Sequence, residues 1–211
     1  QIQSLEISRQ FAEPEIEAYA LNNLGNTFFS RGNLDEAERY WRMSLAMERE
    51  LGNRKGEAYS LVNLGIIASQ RGDSEDAESL WNESLMITRE IGDRVAEAYV
   101  LNNFAQIERN RGEYVEAERI DRQALEIRRE IGDRKGEAYS IHNLGVNAYE
   151  QGDYEEAERM YREALEIRRE MGNRRNEAGS LKTLGILSIR CDDLDGAERL
   201  LREALEILRE I

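Results

Sequence analysis

The sequence predicts an all-α protein, an α-solenoid of stacked antiparallel helix pairs. Three observations carry the prediction. First, one forty-residue unit recurs: Leu24-Gly25, Leu64-Gly65, Phe104-Ala105, Leu144-Gly145 and Leu184-Gly185 fall into register, as do Ala37, Ala77, Ala117, Ala157 and Ala197. Second, each period holds two apolar stripes at helical spacing. Third, there is one proline and almost no strand signal. A fixed period of this length marks an array whose units bury their apolar faces only by stacking.

In chain order, Ser4-Leu5-Glu6-Ile7-Ser8-Arg9 matches Ser84-Leu85-Met86-Ile87-Thr88-Arg89. Residues 1–13 are therefore expected to be the second helix of a preceding repeat, and both chain ends read as cut. Residues 14–211 are expected to form a single array, with repeats at about 16–55, 56–95, 96–135, 136–175 and 176–211. In residues 56–95, Ala58, Leu61, Leu64, Gly65 and Ala68 make one helical stripe. Gly72 suits a helix C-cap, and Asp73, with Asp76 three residues on, suits the next N-cap. Asp153 with Glu156 is a cleaner copy of that cap. Ala77, Leu80, Trp81, Ser84, Leu85 and Ile91 make the second stripe, which Gly92 ends.

Small residues recur at 25, 65, 105, 145 and 185 on the first helices, and at 37, 77, 117, 157 and 197 on the second. They allow close helix approach. The order Leu-Gly, aromatic, Ala, aromatic, small residue in Leu24, Gly25, Phe28, Ala37, Trp41 and Ser44 resembles the tetratricopeptide repeat. Leu144, Gly145, Ala157, Tyr161 and Ala164 repeat it. The resemblance covers essentially the whole chain. The forty-residue period and the missing proline of the second helix are similar to the long-repeat branch. That branch includes kinesin light chains, Pins-type adaptors and the arrays of prokaryotic STAND-type signalling proteins. The resemblance implies a right-handed superhelix whose first helices line a concave groove.

Composition excludes several functions. A net charge of −14 disfavours nucleic acid, since phosphate binding rests on lysine and arginine. No apolar run reaches the ~18–20 residues of a membrane-spanning helix. One cysteine, Cys191, permits no internal disulfide, and no secretory signal is evident, so the expected location is cytoplasmic. Asn82-Glu83-Ser84 matches a glycosylation sequon but falls mid-helix.

Opposite the apolar stripe, the first helices carry Tyr19, Asn23 and Asn26, then Tyr59 and Asn63, Tyr99, Asn103 and Gln106, and Tyr139 and Asn143. This row is polar but nearly uncharged. A side-chain amide can bond both the N–H and C=O of an extended peptide. The same asparagines can equally bond the neighbouring repeat. Arg109, His142 and Lys182 add basic groups in repeats three to five, where an acidic peptide would be attracted. The resemblance places this whole set in the groove as the peptide-binding residues. His142 has no partner at metal-ligand spacing.

The second helices carry i,i+4 pairs such as Glu38/Arg42 and Glu158/Arg162, a solvated face. Arg54-Lys55, Arg94, Arg134-Lys135 and Arg174-Arg175 form a line of positive turns, suited to an acidic partner or simply to charge balance. Repeat three departs from the pattern. Phe104-Ala105 replaces Leu-Gly, Glu108 takes a core place, and Asp121 stands where Trp41, Trp81 and Tyr161 stand. Two acids there require solvent or a partner among Arg109, Arg111 and Arg122.

No nucleophile or cofactor motif accompanies these acids, so an enzyme is not expected, nor any cofactor or metal. The expected function is a protein- or peptide-binding scaffold, the sensing or docking part of a larger signalling protein. The alternative is a self-assembly or spacer module. Leu201, Leu205 and Leu208 would be its association end, giving a weak homo-oligomer.

Overall fold

The computed structural model describes residues 13–211. The expected helix of a preceding repeat lies almost wholly outside the described residues. Among the described residues there are ten helices and no strand. They form two compact units, one ending at Asn103 and one beginning at Phe104.

The first unit contains α1 (Pro14–Ser30), α2 (Leu34–Leu51), α3 (Arg54–Gln70), α4 (Ser74–Ile91) and the first half of α5 (Arg94–Arg111). Helix α1 pairs with α2 and α3 with α4, and α2 packs on α3. The second unit contains the rest of α5, then α6 (Tyr114–Glu130), α7 (Arg134–Glu150), α8 (Tyr154–Glu170), α9 (Arg174–Arg190) and α10 (Leu194–Glu210). Here α7 pairs with α8 and α9 with α10, while α6 packs on α7 and α8 on α9. First helices start at 14, 54, 94, 134 and 174, a forty-residue step.

Local chemistry sets these boundaries. The expected caps form: the Asp76 and Glu156 amides donate to the carboxylates of Asp73 (3.0 Å) and Asp153 (3.1 Å). Gly72 and Gly92 follow their helices at φ +84° and +71°, a left-handed conformation that L side chains resist. In the last repeat Asp192 takes that place at φ +64°.

Within each of these four pairs the helices meet at a glycine. A Cβ at Gly25 or Gly65 would fall inside the indole of Trp41 or Trp81. Both tryptophans are buried, and their indole N–H groups donate to main-chain carbonyls, Trp41 to Asn22 (3.2 Å) and Trp81 to Val62 (3.0 Å). Gly145 meets Tyr161 in the same way, and Gly185 meets Leu201. Two further bonds tie the first unit's pairs: Ser44 to the Ala18 carbonyl and Ser84 to the Ala58 carbonyl, both 3.0 Å.

Successive repeats are stapled by ion pairs. Glu57 of α3, nearly buried, accepts from Arg49 of α2 (2.9 Å) and from Arg54 (2.6 Å). Those arginines also reach Glu83 and Glu90 of α4. The second unit repeats the set twice, around Glu137 with Arg129 and Arg134, and around Glu177 with Arg169 and Arg174. The line of turn arginines is thus occupied inside the array: Arg54, Arg94, Arg134 and Arg174 each hold a buried glutamate.

Candidate functional site

The tyrosine row emerges on the surface of the first helices. Tyr19 is 69% exposed, and Tyr59, Tyr99 and Tyr139 are 36–44% exposed. Residues spaced four apart share a helix face, so Asn23, Asn63, Asn103 and Asn143 flank them. Asn23, Asn63 and Asn103 are half-buried, and Asn143 is buried. Among the described residues none of the four side chains makes a hydrogen bond within the protein. The Nδ2 donors of Asn103 and Asn143 are buried without an acceptor. The amide that reaches the neighbouring repeat is one residue earlier: Asn22 Nδ2 donates to Ser60 Oγ (3.4 Å), and Ser60 donates to Ser44 (3.3 Å).

The remaining predicted residues divide. Asn26 and Gln106 are exposed; Asn26 donates to Asn22 (3.3 Å) and Gln106 to Asn110 (2.9 Å). Lys182 is exposed. His142 is half-buried against the Tyr161 ring (5.1 Å between centroids), and its Nδ1 has no partner among the described residues. Burial, with Arg168 and Arg109 nearby, pushes its pKa down to about 4, so the imidazole is neutral at pH 7.

Arg109, expected among the groove residues, is buried and engaged within the protein. It is 7% exposed and donates to Asp121 (2.5 Å), to Asn147 (3.3 Å) and to Gln106 (3.2 Å). Asn147 also donates to Asp121 (3.0 Å). Asp121, fully buried, therefore has the charge partner that its burial demands. Glu108 pairs with Arg111 at 3.0 Å. Arg109 is the anchor of a buried network through both of its terminal nitrogens, while its Nε has no acceptor among the described residues.

The expected association end also changes composition. Leu205 and Leu208 are exposed on α10, at 48% and 53%. Leu201 is not: it fills the joint over Gly185, 2.8 Å from where a Cβ would stand, in the register place of Trp41.

Two features were missed by reading the sequence. Arg168 is half-buried, donates to Ser180 and, among the described residues, pairs with no carboxylate. The buried glutamates 57, 97, 137 and 177 recur every forty residues beside Arg54, Arg94, Arg134 and Arg174. That periodicity is visible in the sequence, but only the packing shows that the acids face inward. Among the described residues no helix is long and apolar enough to cross a membrane, and no group of three or more His, Cys, Asp or Glu gathers as a metal site.

A family profile described as tetratricopeptide repeat matches residues 16–90 and 95–170, and a second of the same description matches 178–211. No curated protein matches the chain in sequence. Among solved structures, BtubC (BKLC) from P. vanneervenii is similar at TM-score 0.78 and 22% identity, over 99% of this chain and 88% of that one. A Rap protein complexed with competence and sporulation factor is similar at TM-score 0.83 and 17% identity, over 92% of this chain. A STAND protein with a tetratricopeptide repeat sensor from Pyrococcus horikoshii is similar at TM-score 0.76 and 20% identity, over 99% of this chain. The chain spans 55% of the Rap protein and 32% of the STAND protein. At these identities the neighbours share the fold, and the profile matches span most of the sequence: the chain belongs to the tetratricopeptide repeat family.

Proposed function

We propose that the chain is a peptide-binding module that holds an extended protein segment against the first-helix face. Family membership supports a protein-interaction scaffold. The finer reading rests on one observation: among the described residues, the side chains of Asn23, Asn63 and Asn103 in the first unit and of Asn143 in the second, each four residues after a first-helix tyrosine, make no hydrogen bond. An unmet buried amide costs free energy that a peptide carbonyl would return after a rotation about the soft χ2. The exposed rings beside them offer flat apolar contact with a polar tip. A solved neighbour, the Rap protein, is complexed with competence and sporulation factor, which is in keeping with a ligand-holding array. The role in a larger signalling protein and the cytoplasmic setting belong to the same proposal.

The test is a selection of binders from a random peptide library with the whole chain, repeated with Asn23, Asn63 and Tyr59 changed to Ala. The reading expects binders whose affinity falls at least tenfold in the variant, while its melting temperature stays within a few degrees. Binders indifferent to the variant would refute it. A second reading, self-association, is favoured by exposed Leu205 and Leu208. Light scattering over a concentration series, with Leu205 and Leu208 changed to Lys, tests it. A parent chain that stays monomeric throughout removes it.

A further inference from the structure

The tyrosine row stops at the last repeat. Tyr19, Tyr59, Tyr99 and Tyr139 are followed in register by Gly179, which is exposed. A Cβ at Gly179 would meet nothing within 4 Å. The helix continues through this position, and Thr183 donates to the Gly179 carbonyl (3.1 Å). What is missing is only the ring, leaving a notch on the first-helix face of the second unit.

The notch is bordered by cations that form no ion pair among the described residues. In the preceding repeat, the Arg128 guanidinium lies over the Tyr139 ring, 5.6 Å from its centroid. Forty residues on, Arg168 has a glycine where that ring would be. It donates to the hydroxyl of Ser180, next to Gly179, and no carboxylate pairs with it among the described residues. Arg175 and Lys182, four before and three after Gly179, lie on the same helical face. Both are exposed, and neither is ion-paired among the described residues. The one acid of α9, Glu177, is already held by Arg169 and Arg174. In a chain of net charge −14, three unpaired cations around a gap are a local inversion of sign. A half-buried guanidinium without a counter-charge carries a desolvation cost that an incoming anion offsets. The planar fork of arginine suits a carboxylate.

We propose that the Gly179 notch is a carboxylate subsite, in which Arg168, flanked by Arg175 and Lys182, takes an Asp or Glu side chain of a bound peptide. This rests on the first-helix face being the peptide-binding surface. It adds a position and a chemistry: an acidic residue of the ligand, read in the last repeat.

The probe is a fluorescein-labelled Ser/Gly nonapeptide with two central glutamates, compared with the same peptide carrying glutamines, by fluorescence anisotropy. The whole chain is expected to prefer the glutamate peptide by at least tenfold. Arg168→Gln and, separately, Gly179→Tyr should each abolish the preference. Gly179→Tyr restores the residue of the other four repeats, so it should melt no lower than the parent, with the new ring under Arg168 as Tyr139 lies under Arg128. Arg190→Gln, whose guanidinium bonds Tyr154 (3.0 Å), should leave the preference intact. Equal affinity for the two peptides overturns the subsite. So does a preference that survives Gly179→Tyr, or one lost only in Arg190→Gln. Library-selected peptides that still bind through Asn23, Asn63 and Tyr59 would show that the subsite alone had failed. Their absence would show that the broader reading had failed.

Discussion

The first unit closes its helix pairs with tryptophan on glycine, Trp41 over Gly25 and Trp81 over Gly65. The second unit opens with a different joint at the same register. Ala105 stands for the glycine, Asp121 for the tryptophan, Arg109 for Phe29, and Asn147 for the Ile67 and Leu187 of other repeats. Phe29 and Trp41 meet as tilted rings at 5.5 Å; Arg109 and Asp121 meet as a buried ion pair. The difference teaches that one position in a repeat can be filled by apolar area or by paired charge. A charged joint, however, has to be built as a set. A buried acid without Arg109 would be untenable, and Asn147 donates to the same Asp121 oxygen that Arg109 meets. The aromatic joint tolerates no Cβ opposite it, whereas the shorter aspartate leaves room for Ala105.

The comparison can be broken at its strongest point first. Arg109→Ala should destabilise the second unit by about 3–5 kcal/mol, the cost of stranding a buried charge. Changing Ala105, Arg109, Asp121 and Asn147 together to Gly, Phe, Trp and Ile should return stability to within ~1–2 kcal/mol of the parent, since an ion joint replaced by packed apolar groups is often neutral or better. Denaturant unfolding measures both. A quadruple variant weaker than Arg109→Ala would show that the four positions do not form one unit.

The second unit should also carry a histidine contribution to its pH dependence, because it holds the one histidine. The folded-state pKa of His142 is depressed to about 4 from 6.5. The unfolded chain therefore takes up the proton first, and stability falls as pH drops from 6.5 towards 4, then levels off. The difference corresponds to roughly 3 kcal/mol. His142→Asn, matching Asn22 and Asn102, should remove that part of the slope in melts at pH 7, 5.5 and 4.5.

On the aromatic side, Gly65→Leu should cost about 1–3 kcal/mol or more, because the leucine would have to displace the Trp81 indole. A variant as stable as the parent would mean that the joint is not close-packed. The smallest effect concerns a single backbone angle. Asp192 holds φ +64° where the earlier repeats use glycine. Asp192→Gly should stabilise by up to about 1 kcal/mol, read as a rise of a few degrees in melting temperature.

Much of the fold was legible in the sequence. The forty-residue step, the caps at Asp73 and Asp153 and the tight contact at Gly65 follow from periodicity and from residue chemistry that acts locally. Repeat three could be seen to be odd, but not which arginine answers Asp121. Three arginines lie within reach along the chain, and only packing distinguishes Arg109, turned inward, from Arg122, turned out to Glu118. The same limit applies to the candidate site. The row from Tyr19 to Asn143 is a matter of helical face, so spacing found it. That Asn22, not Asn23, bonds the next repeat depends on an orientation that spacing does not resolve. Leu201 looked like a free leucine because its partner, Gly185, is silent in any hydrophobic pattern.

The central claim is that the unbonded asparagines of the first-helix face take hold of a ligand main chain. Side-chain amide resonances report on this directly. With a library-selected peptide added to the uniformly 15N-labelled chain, the NH2 signals of Asn23, Asn63 and Asn103 should shift and gain contacts to peptide protons. Those of Asn22, already committed to Ser60, and of Asn53, which caps α3, should stay in place. Shifts confined to second-helix side chains, with the asparagine row unmoved, would contradict the account.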